Sequence, residues 1–584
     1  MKKIIAFLLL LVFIPALISG CGSNKQSDGN GGTTTPTDAQ TTENPGTEDP
    51  GTVEEGPYNF AAGKYETDEK GIALAPYEYT LPLTTSDEVL TFWNVCYTPQ
   101  YIPEEGFGSL DYPMDIKRKT GVNIDYITVN TEAKFENFSV LLASDDLPDL
   151  MSHGLTYYGK NARNAIDEGW FANLYDYKEY MPNYLNYVKS LDDLDVYNTV
   201  YYDDETIVWF YGIMKDATPA IGYMTRGDWL DKLGLKADDI TTYDDIHDML
   251  TRFKTELNVQ WPMQVCDTIE RTPGTIASGY NTSLLVNPYG LPWAKVVDGQ
   301  VQFSLTTSDD KDLMTMLSGW YSENLIDPGW PGYASNNQMA PMITTGQTGY
   351  VCLNPGQVQD YEDTTEDPNT RWDALSRPLL YDGQVLKYGQ KVSRMTYGNA
   401  VVSAKCENIP LLCTWSDYFF SPEGSDYSSW GPEGITWTQD ENGNRTLTDF
   451  VLNNPDGITP SWVLNMYAAN NLGDATLFDQ RRSYAYDGGA RLYNMFAKWT
   501  PIAYSGEYDF PTQFKLTTEQ QDVVKTYSGD ITTYIGENYN GFFDGSKPMS
   551  EWDSYIDGLY DIGLGEVLDI YREAYDALKE RFGL

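Results

Sequence analysis

Along the first third of the chain, apolar residues recur with the spacing of strands in some stretches and with the spacing of helices in others. The runs 89–95 and 121–129 are rich in β-branched and aromatic residues, and both predict strands. A short helix over 135–143 follows the second run, and a Pro-containing turn in 144–152 leads into a third strand. Strand, helix, strand, helix and strand in this order predict a parallel α/β sheet.

Two later helices carry start signals in the sequence. Thr242 with Asp245, and Thr307 with Asp310, have the spacing of a capping box. Apolar residues at helical spacing follow each cap, and the second helix is predicted to end near Asn324. The stripes are Tyr243, Ile246, Leu250, Phe253 and Leu257 in the first helix, and Leu313, Leu317, Trp320 and Tyr321 in the second. The chain from 550 onward also has helical apolar spacing, interrupted by Gly563 and Gly565.

The amino terminus follows another pattern. Lys2 and Lys3 precede an apolar segment, 4–18, that is shorter than the roughly 20 residues of a membrane-spanning helix. The segment closes with Ile-Ser-Gly before Cys21, which resembles the bacterial lipobox. The resemblance implies a signal peptide over 1–20 and lipidation, including palmitate, on Cys21. An ordinary cleavage site of a secreted protein is the alternative.

The composition of residues 21–57 predicts a disordered acidic tether. They are mostly Gly, Ser, Thr, Pro, Asn, Gln and acidic residues, and Lys25 is their only base. Such a segment buries too little apolar surface to offset its ordering entropy. Anionic head groups repel it, so we expect membrane attachment through the lipid anchor only, and one folded solute-binding region over 58–584.

The net charge and the cysteine and histidine content argue against a nucleic-acid-binding protein, a disulfide framework and a metal site. The net charge of -46 repels nucleic acid, and no basic cluster offsets it. Apart from Cys21, an odd number of cysteines is scattered through the chain, which is not a disulfide framework, although Cys406 and Cys413 could bridge if the backbone turns there. His153 and His247 are the only histidines and lie far apart, so no metal site is predicted.

Aromatic residues are abundant, with 45 Tyr, 21 Phe and 15 Trp. Aromatic faces pack against the C–H groups of sugar rings, whereas Tyr and Trp also fill protein cores. The enrichment therefore favours a carbohydrate ligand without requiring one.

Several stretches taken together resemble one family, the large lipoprotein solute-binding proteins of bacterial ABC importers, in the branch with LplA-type and alginate-binding receptors. The matching stretches are 119–123, 142–150, 167–174, 226–235, 325–328, 421–424, 430–435 and 551–555. They keep the family's order, and the resemblance extends from about residue 89 to 580. It implies a two-lobed periplasmic-binding-protein-like α/β fold with a ligand cleft between lobes, no enzymatic activity, and ABC permease subunits as partners of a monomer.

Ligands in α/β sheets lie beyond the carboxyl ends of strands. By this rule Trp93, Asn94 and Tyr97, at the end of the first strand, and Arg226, at the end of a later one, are candidate ligand-binding residues. The other candidates are Trp430, Glu433 and Trp437, in the Gly-rich stretch after 421–424, and Trp209 and Trp330 as further aromatic platforms. Each tryptophan alone could equally be a core or hinge residue, and Arg226 could instead anchor the following helix through a carboxylate. We expect an extracellular solute, an oligosaccharide, as the ligand, and a peptide or a lipid-precursor solute is the alternative.

One feature of the family is missing from this chain, and two other functions stay open. Many relatives carry an acidic, calcium-binding Asp-Pro-Asn-Gly-Asn-Gly loop after the helix that here spans 243–257. This chain has 255–262, Thr-Glu-Leu-Asn-Val-Gln-Trp-Pro, at that place, so no calcium site is carried over. A secreted glycoside hydrolase or lyase remains an alternative, because 85 acidic residues could supply a catalytic pair. A surface glycan-binding adhesin without a transporter is the other alternative.

Overall fold

The structure, a computed structural model, describes residues 56–582 except 97–101, 220, 266–273, 288–289, 334–335, 366, 471–472, 487, 502 and 512–513. The predicted signal peptide, the tether up to residue 55 and Cys21 lie outside the described residues, as do Tyr97 and Cys266.

The strands are short, and most lie in one of two sheets. They are β1 Val89–Cys96, β2 Asn123–Asn130, β3 Leu150–Ser152, β4 Tyr201–Asp203, β5 Thr206–Ile207, β6 Trp209–Met214, β7 Gly222–Arg226, β8 Ala294–Val297, β9 Gln300–Phe303, β10 Tyr350–Leu353, β11 Trp372–Ala374, β12 Met395–Val402, β13 Trp437–Gln439, β14 Arg445–Leu447 and β15 Leu477–Phe478.

The α-helices surround these sheets. They are α1 Asp111–Thr120, α2 Lys134–Ser144, α3 Gly154–Tyr158, α4 Ala162–Asp167, α5 Pro182–Ser190, α6 Leu194–Val200, α7 Gly227–Leu233, α8 Tyr243–Leu257, α9 Ser308–Ser322, α10 Asn336–Thr344, α11 Pro355–Thr364, α12 Ile409–Tyr418, α13 Pro422–Trp430, α14 Asp449–Leu452, α15 Pro460–Tyr467, α16 Gly489–Trp499, α17 Thr518–Asp544, α18 Trp552–Asp561 and α19 Leu564–Phe582.

Lobe 1 is built on a six-stranded sheet in the order β15-β6-β12-β3-β1-β2. β1 runs parallel to β2 and β3, which confirms the predicted parallel unit. The sheet as a whole is mixed, because β12 runs antiparallel to both β3 and β6. Both faces are covered: α1, α5 and α12 pack on one, and α2, α3 and α4 on the other.

Lobe 2 is built on the antiparallel sheet β10-β7-β11. Its main core includes α8, α9 and α17 to α19, and a smaller core with α11 and α16 covers the other face. Both predicted capping boxes are confirmed: Thr242 Oγ1 accepts the N–H of Asp245, and the N–H of Thr307 donates to the Asp310 carboxylate at 2.8 Å. The helical C-terminal region is confirmed as α18 and α19.

Three segments, 215–219, 387–394 and 479–486, cross between the lobes. They meet side by side at one edge of the lobe 1 sheet, where the Met214 N–H donates to Arg394 O at 2.7 Å and the Lys215 N–H donates to Phe478 O at 2.9 Å. Segments of this kind can absorb a hinge rotation. A further contact between the lobes is made by Lys515, whose Nζ donates to Asn198 O at 2.7 Å.

Cys406 and Cys413 do not form the bridge that their spacing allowed. Both are free, buried thiols, and Cys413 lies inside α12. Burial raises the pKa of the Cys406 thiol to about 12, which keeps it protonated and unreactive at neutral pH. Within the described part of the chain, no helix combines the length and apolarity that crossing a bilayer requires.

Candidate functional site

The two lobes are joined at one edge of the lobe 1 sheet. β6 and β15 are parallel and end there, and β12, which is antiparallel to β6, begins there. β1, β2 and β3 run antiparallel to β12 and therefore also end at this edge. This edge is the position where α/β sheets bind ligands.

A cavity opens at the carboxyl ends of β1 and β3, and we call it the strand-end pocket. Its lining combines amide, hydroxyl and carboxylate groups with aromatic rings. The polar and aromatic residues of the lining are Asn94, Phe107, Tyr112, Ser152, Trp462, Asn465, Asn470 and Asp474. Most small-ligand sites share this composition, an apolar wall with a few placed polar groups.

The wall of the strand-end pocket that carries Asp474 depends on a glycine. Gly398 lies in β12 beside a register irregularity, and a Cβ on it would lie 2.2 Å from the carbonyl oxygen of Asp474. Only a residue without a side chain allows the loop to approach the strand so closely. The loop is closed by Asn470, whose N–H donates to Asp474 Oδ2 at 2.8 Å.

Other parts of the wall come from β1 and α15. Asn94 is buried, and its Oδ1 accepts a hydrogen bond from Thr128 Oγ1 on β2 at 2.7 Å. The two N–H groups of Asn94 and the second lone pair of its Oδ1 are therefore its remaining capacity for hydrogen bonds. Trp462, in the first turn of α15, is half-buried and lines the same pocket.

Asp474 supplies the charge of the strand-end pocket. Burial raises its pKa to about 6, while the Asn470 N–H and the charge of Arg482 act in the opposite direction. The carboxylate is therefore ionised at neutral pH and can accept hydrogen bonds from hydroxyl groups.

A second surface, which we call the aromatic shelf, lies on the other face of the same sheet edge. It is formed by Phe135, Tyr157, His153 and Tyr397: the Phe135 and Tyr157 rings are 5.0 Å apart, and the His153 and Tyr397 rings 4.7 Å. His153 and Tyr157, at 5.8 Å, link these pairs. Phe135 and Tyr397 are 58% and 47% exposed, unusual for such large apolar groups.

Trp93 lies beneath the shelf. It is 2% exposed, and its ring makes edge contacts with Phe138 at 5.5 Å and Tyr157 at 6.0 Å. In this conformation Trp93 supports Tyr157 and offers no open face to a ligand.

Trp209 and Trp330 lie away from the sheet edge. Trp209 begins β6, at the end opposite the crossing segments, and its indole N–H donates to Thr199 O at 2.9 Å. Trp330 is buried in the lobe 2 core against Phe543, with ring centroids 4.7 Å apart.

Arg226 ends β7, at the end away from the crossing segments. It is buried and forms a bidentate ion pair with Asp228, with Nε–Oδ1 and Nη2–Oδ2 distances of 2.7 and 2.8 Å. Its guanidinium also stacks on Trp229. This is the helix-anchoring arrangement that the sequence left open.

Trp430 and Trp437 are brought together, but in a packed cluster. Arg445 lies over both rings, at 5.0 and 4.1 Å from their centroids, and pairs with Asp426. Both tryptophans are buried, whereas Glu433 beside them is exposed.

The sequence interpretation missed Trp462, Asp474, Tyr397 and Phe135. Trp462 follows a Thr-Pro helix start, the one local signal that could have marked it as a placed aromatic residue. Tyr397 precedes the Gly398 irregularity, a type of site where strands often redirect a side chain.

The described residues contain no group of three or more metal-ligating side chains close enough to hold an ion. After α8 the chain turns at Asn258 in the left-handed conformation, and the Val259 N–H donates back to Phe253 O.

Comparisons with known proteins agree in fold. A family model described as bacterial extracellular solute-binding protein matches residues 103–426. The fructooligosaccharide ABC transporter substrate-binding protein FusA of Streptococcus pneumoniae serotype 4 is 22% identical over 494 residues, covering 79% of this chain and 86% of FusA.

Two solved structures extend this similarity to most of the chain. An extracellular solute-binding protein from Bifidobacterium longum subsp. infantis has a TM-score of 0.64 at 18% identity, covering 84% of this chain and 99% of its own. The alginate-binding protein AlgQ2, without calcium ion, has a TM-score of 0.59 at 21% identity, covering 84% and 99%. At such identity these structures bear on the fold alone, and they have the two-lobed architecture found here.

Proposed function

The chain belongs to the family of bacterial extracellular solute-binding proteins, whose model matches more than half of it, and we propose that it captures an oligosaccharide and delivers it to the permease subunits of an ABC importer. The family match carries the solute-binding part of this proposal. FusA, the relative that covers most of the chain, is described as a fructooligosaccharide ABC transporter substrate-binding protein.

The lining of the strand-end pocket supports a sugar ligand. Trp462, Tyr112 and Phe107 can pack against the C–H faces of a sugar ring, while Asn94 and Asp474 can bind its hydroxyl groups. The pocket lies where the crossing segments join lobe 1, so lobe 2 can close over a ligand bound there. The exposed rings of Phe135 and Tyr397 give a longer oligosaccharide a second platform.

Of the residues chosen from the sequence, Asn94 is the one we retain as a direct ligand contact, because it lines the strand-end pocket. Tyr97 stays a candidate, since it follows β1 directly. Trp93 supports the aromatic shelf, and Trp430 with Trp437 packs at the root of a crossing segment.

The protein is attached to the outer face of the cell membrane through a lipid on Cys21, after removal of the signal peptide 1–20. Residues 21–57 form the tether of a monomeric receptor region, 58–584. Replacing Cys21 with Ala should abolish incorporation of labelled palmitate and release the protein from membranes. Membrane-retained, labelled Cys21→Ala protein would contradict this assignment.

The test of the function is a ligand screen by thermal shift, followed by calorimetry. Neutral and acidic oligosaccharides, peptides and monosaccharides are each added to the purified receptor region. We expect an oligosaccharide to raise the melting temperature, because a ligand at 100 times its Kd adds about 2.7 kcal/mol of stability. Chromatography of the recovered ligand then separates a receptor, which returns it unchanged, from a hydrolase or lyase, which cleaves it.

A further inference from the structure

The charge in the strand-end pocket has one sign. Among the described residues that line it, Asp474 is the only side chain with a formal charge at neutral pH. The rest of the lining consists of amide, hydroxyl, thiol, aromatic and aliphatic groups.

Within the part of the chain that the structure describes, a backbone group and not a cation contacts the Asp474 carboxylate. Its Oδ2 accepts the Asn470 N–H at 2.8 Å, and none of the described Lys or Arg side chains forms an ion pair with it. The nearby Arg482 is held elsewhere, since its two terminal nitrogens donate to Ser429 O and Ala469 O at 2.8 and 2.7 Å. Arg481 pairs with Asp479 instead.

From this arrangement we propose that the strand-end pocket selects neutral sugar rings and rejects rings that carry a carboxylate, with Asp474 as the residue that sets this specificity. The inference rests on the proposed oligosaccharide function. A uronic acid ring in the pocket would bring two negative charges within a few ångströms in a partly dry site, where like charges are only weakly screened. A neutral ring instead offers hydroxyl donors to the same carboxylate, and such charge-assisted hydrogen bonds are strong.

The net charge of the whole protein also disfavours anionic ligands. A net charge of -46 produces a negative potential that lowers the local concentration of polyanionic ligands. This long-range effect is screened by salt, whereas the effect of Asp474 inside the pocket is screened much less. Selectivity that persists at high ionic strength would therefore arise in the pocket.

The test uses matched pairs of ligands. Kestose, maltotriose and cellotriose are compared with the same sugars oxidised at their primary hydroxyl groups to carboxylates. Calorimetry at pH 7.5 in 0.5 M salt gives the Kd for each. The receptor region is tested as wild type, as Asp474→Asn and Asp474→Ser, and as Asp456→Asn, which removes an exposed carboxylate of the same lobe and serves as the control.

We expect the neutral member of a binding pair to bind at least tenfold more tightly to the wild type. Both Asp474 variants should reduce the ratio of the acidic to the neutral Kd at least threefold, and Asp456→Asn should leave this ratio unchanged. Equal or tighter binding of the acidic members would overturn this inference and leave the proposed function intact. A ratio that neither Asp474 variant changes would overturn the role of Asp474. Binding of no oligosaccharide in either set would overturn the proposed function, and the inference with it.

Discussion

The indole N–H of Trp430 donates a hydrogen bond to Oδ2 of Asp479, at 3.2 Å. The bond joins the last residue of α13 to the first residue of a crossing segment. Asp479 also pairs with Arg481, and burial of the Trp430 ring against Trp437 completes the contact. Trp430 therefore stabilises the place where lobe 1 passes into the hinge.

Trp430→Ala should lower the stability of the unliganded protein. Loss of a buried tryptophan costs about 3–5 kcal/mol, and the carboxylate of Asp479 loses a donor as well. Urea unfolding measures the change. Ile435→Ala, at an exposed apolar residue of the same region, is the control and should cost little. A Trp430→Ala protein that melts normally but binds ligand poorly would instead show that the ring contacts the ligand.

Part of this fold could be predicted because its signals are local. The capping boxes at Thr242 and Thr307 involve residues three positions apart, and the stripe from Tyr243 to Phe253 needs only the helical repeat. The antiparallel insertion of β12 between β3 and β6 could not be predicted in this way, because its partners are distant in sequence.

The site was harder to predict for a physical reason. A strand buried on both faces gives no alternation, so the sequence around Trp93 and Asn94 does not say which side chain meets a cavity. Asn94 lines the strand-end pocket and Trp93, its neighbour, lies in the core. Trp462 reaches the same pocket because α15, distant from β1 in sequence, packs against α1.

Trp462→Ala should weaken oligosaccharide binding with little loss of stability. A stacking tryptophan at the centre of a binding site contributes about 2 kcal/mol or more, which corresponds to roughly 30-fold in Kd. Trp462 is only half-buried, so the apo melting temperature should change less than for Trp430→Ala. Calorimetry and thermal melting measure the two effects.

Trp209→Ala is the matched control for Trp462. Trp209 is also half-buried but lies at the far end of β6, so its removal should leave affinity unchanged. Equal losses of affinity in both variants would place the ligand elsewhere on lobe 1.

Asp417 should make the protein more stable at pH 5 than at pH 7. Burial raises its pKa to about 6, even though Tyr79, Asn183 and Tyr184 all donate to it. In the unfolded chain the same carboxyl ionises near pH 3.9. Between these values the folded state holds a proton that the unfolded state has lost, so this contribution is complete below about pH 4 and disappears as the pH rises through 6.

Asp417→Asn should reduce the fall in the free energy of unfolding between pH 4 and 7 by on the order of 2 kcal/mol. Urea unfolding at several pH values measures it, with Asp456→Asn as control. Asp509, whose pKa is also raised to about 6, contributes in the same direction in both proteins. An unchanged slope in Asp417→Asn would show that the Asp417 carboxyl titrates normally.

Chelation should leave the described region unaffected. Of residues 255–262 only Glu256 is acidic, and it accepts a hydrogen bond from Arg252 Nε at 2.7 Å. Trp261 also lies where a calcium loop would need its turn glycine. EDTA should therefore change neither the melting temperature nor the Kd for an oligosaccharide. A drop of several degrees that calcium reverses would reveal a metal site.

The discrimination between neutral and acidic sugars should depend on pH through Asp474. The pKa of Asp474, about 6, is below neutral pH. It is above the pKa of a sugar carboxylate, which is about 3–4, as for other α-carboxyl groups. Tyr112 on α1, Tyr126 on β2 and Arg482 are the other titratable groups that act on Asp474. Burial raises the pKa of both tyrosines, so they stay neutral, and the guanidinium stays charged across this range.

Lowering the pH from 7.5 to 5 should therefore neutralise Asp474 while an oxidised trisaccharide keeps its charge. Repulsion between them is lost, and the protonated carboxyl can donate a hydrogen bond to the sugar carboxylate. The ratio of the acidic to the neutral Kd should fall at least threefold, with a midpoint near pH 6, in calorimetric titrations of the wild type. Asp474→Asn should show a low ratio at every pH. A ratio that falls equally in wild type and Asp474→Asn would assign the titration to the ligand or to another carboxyl.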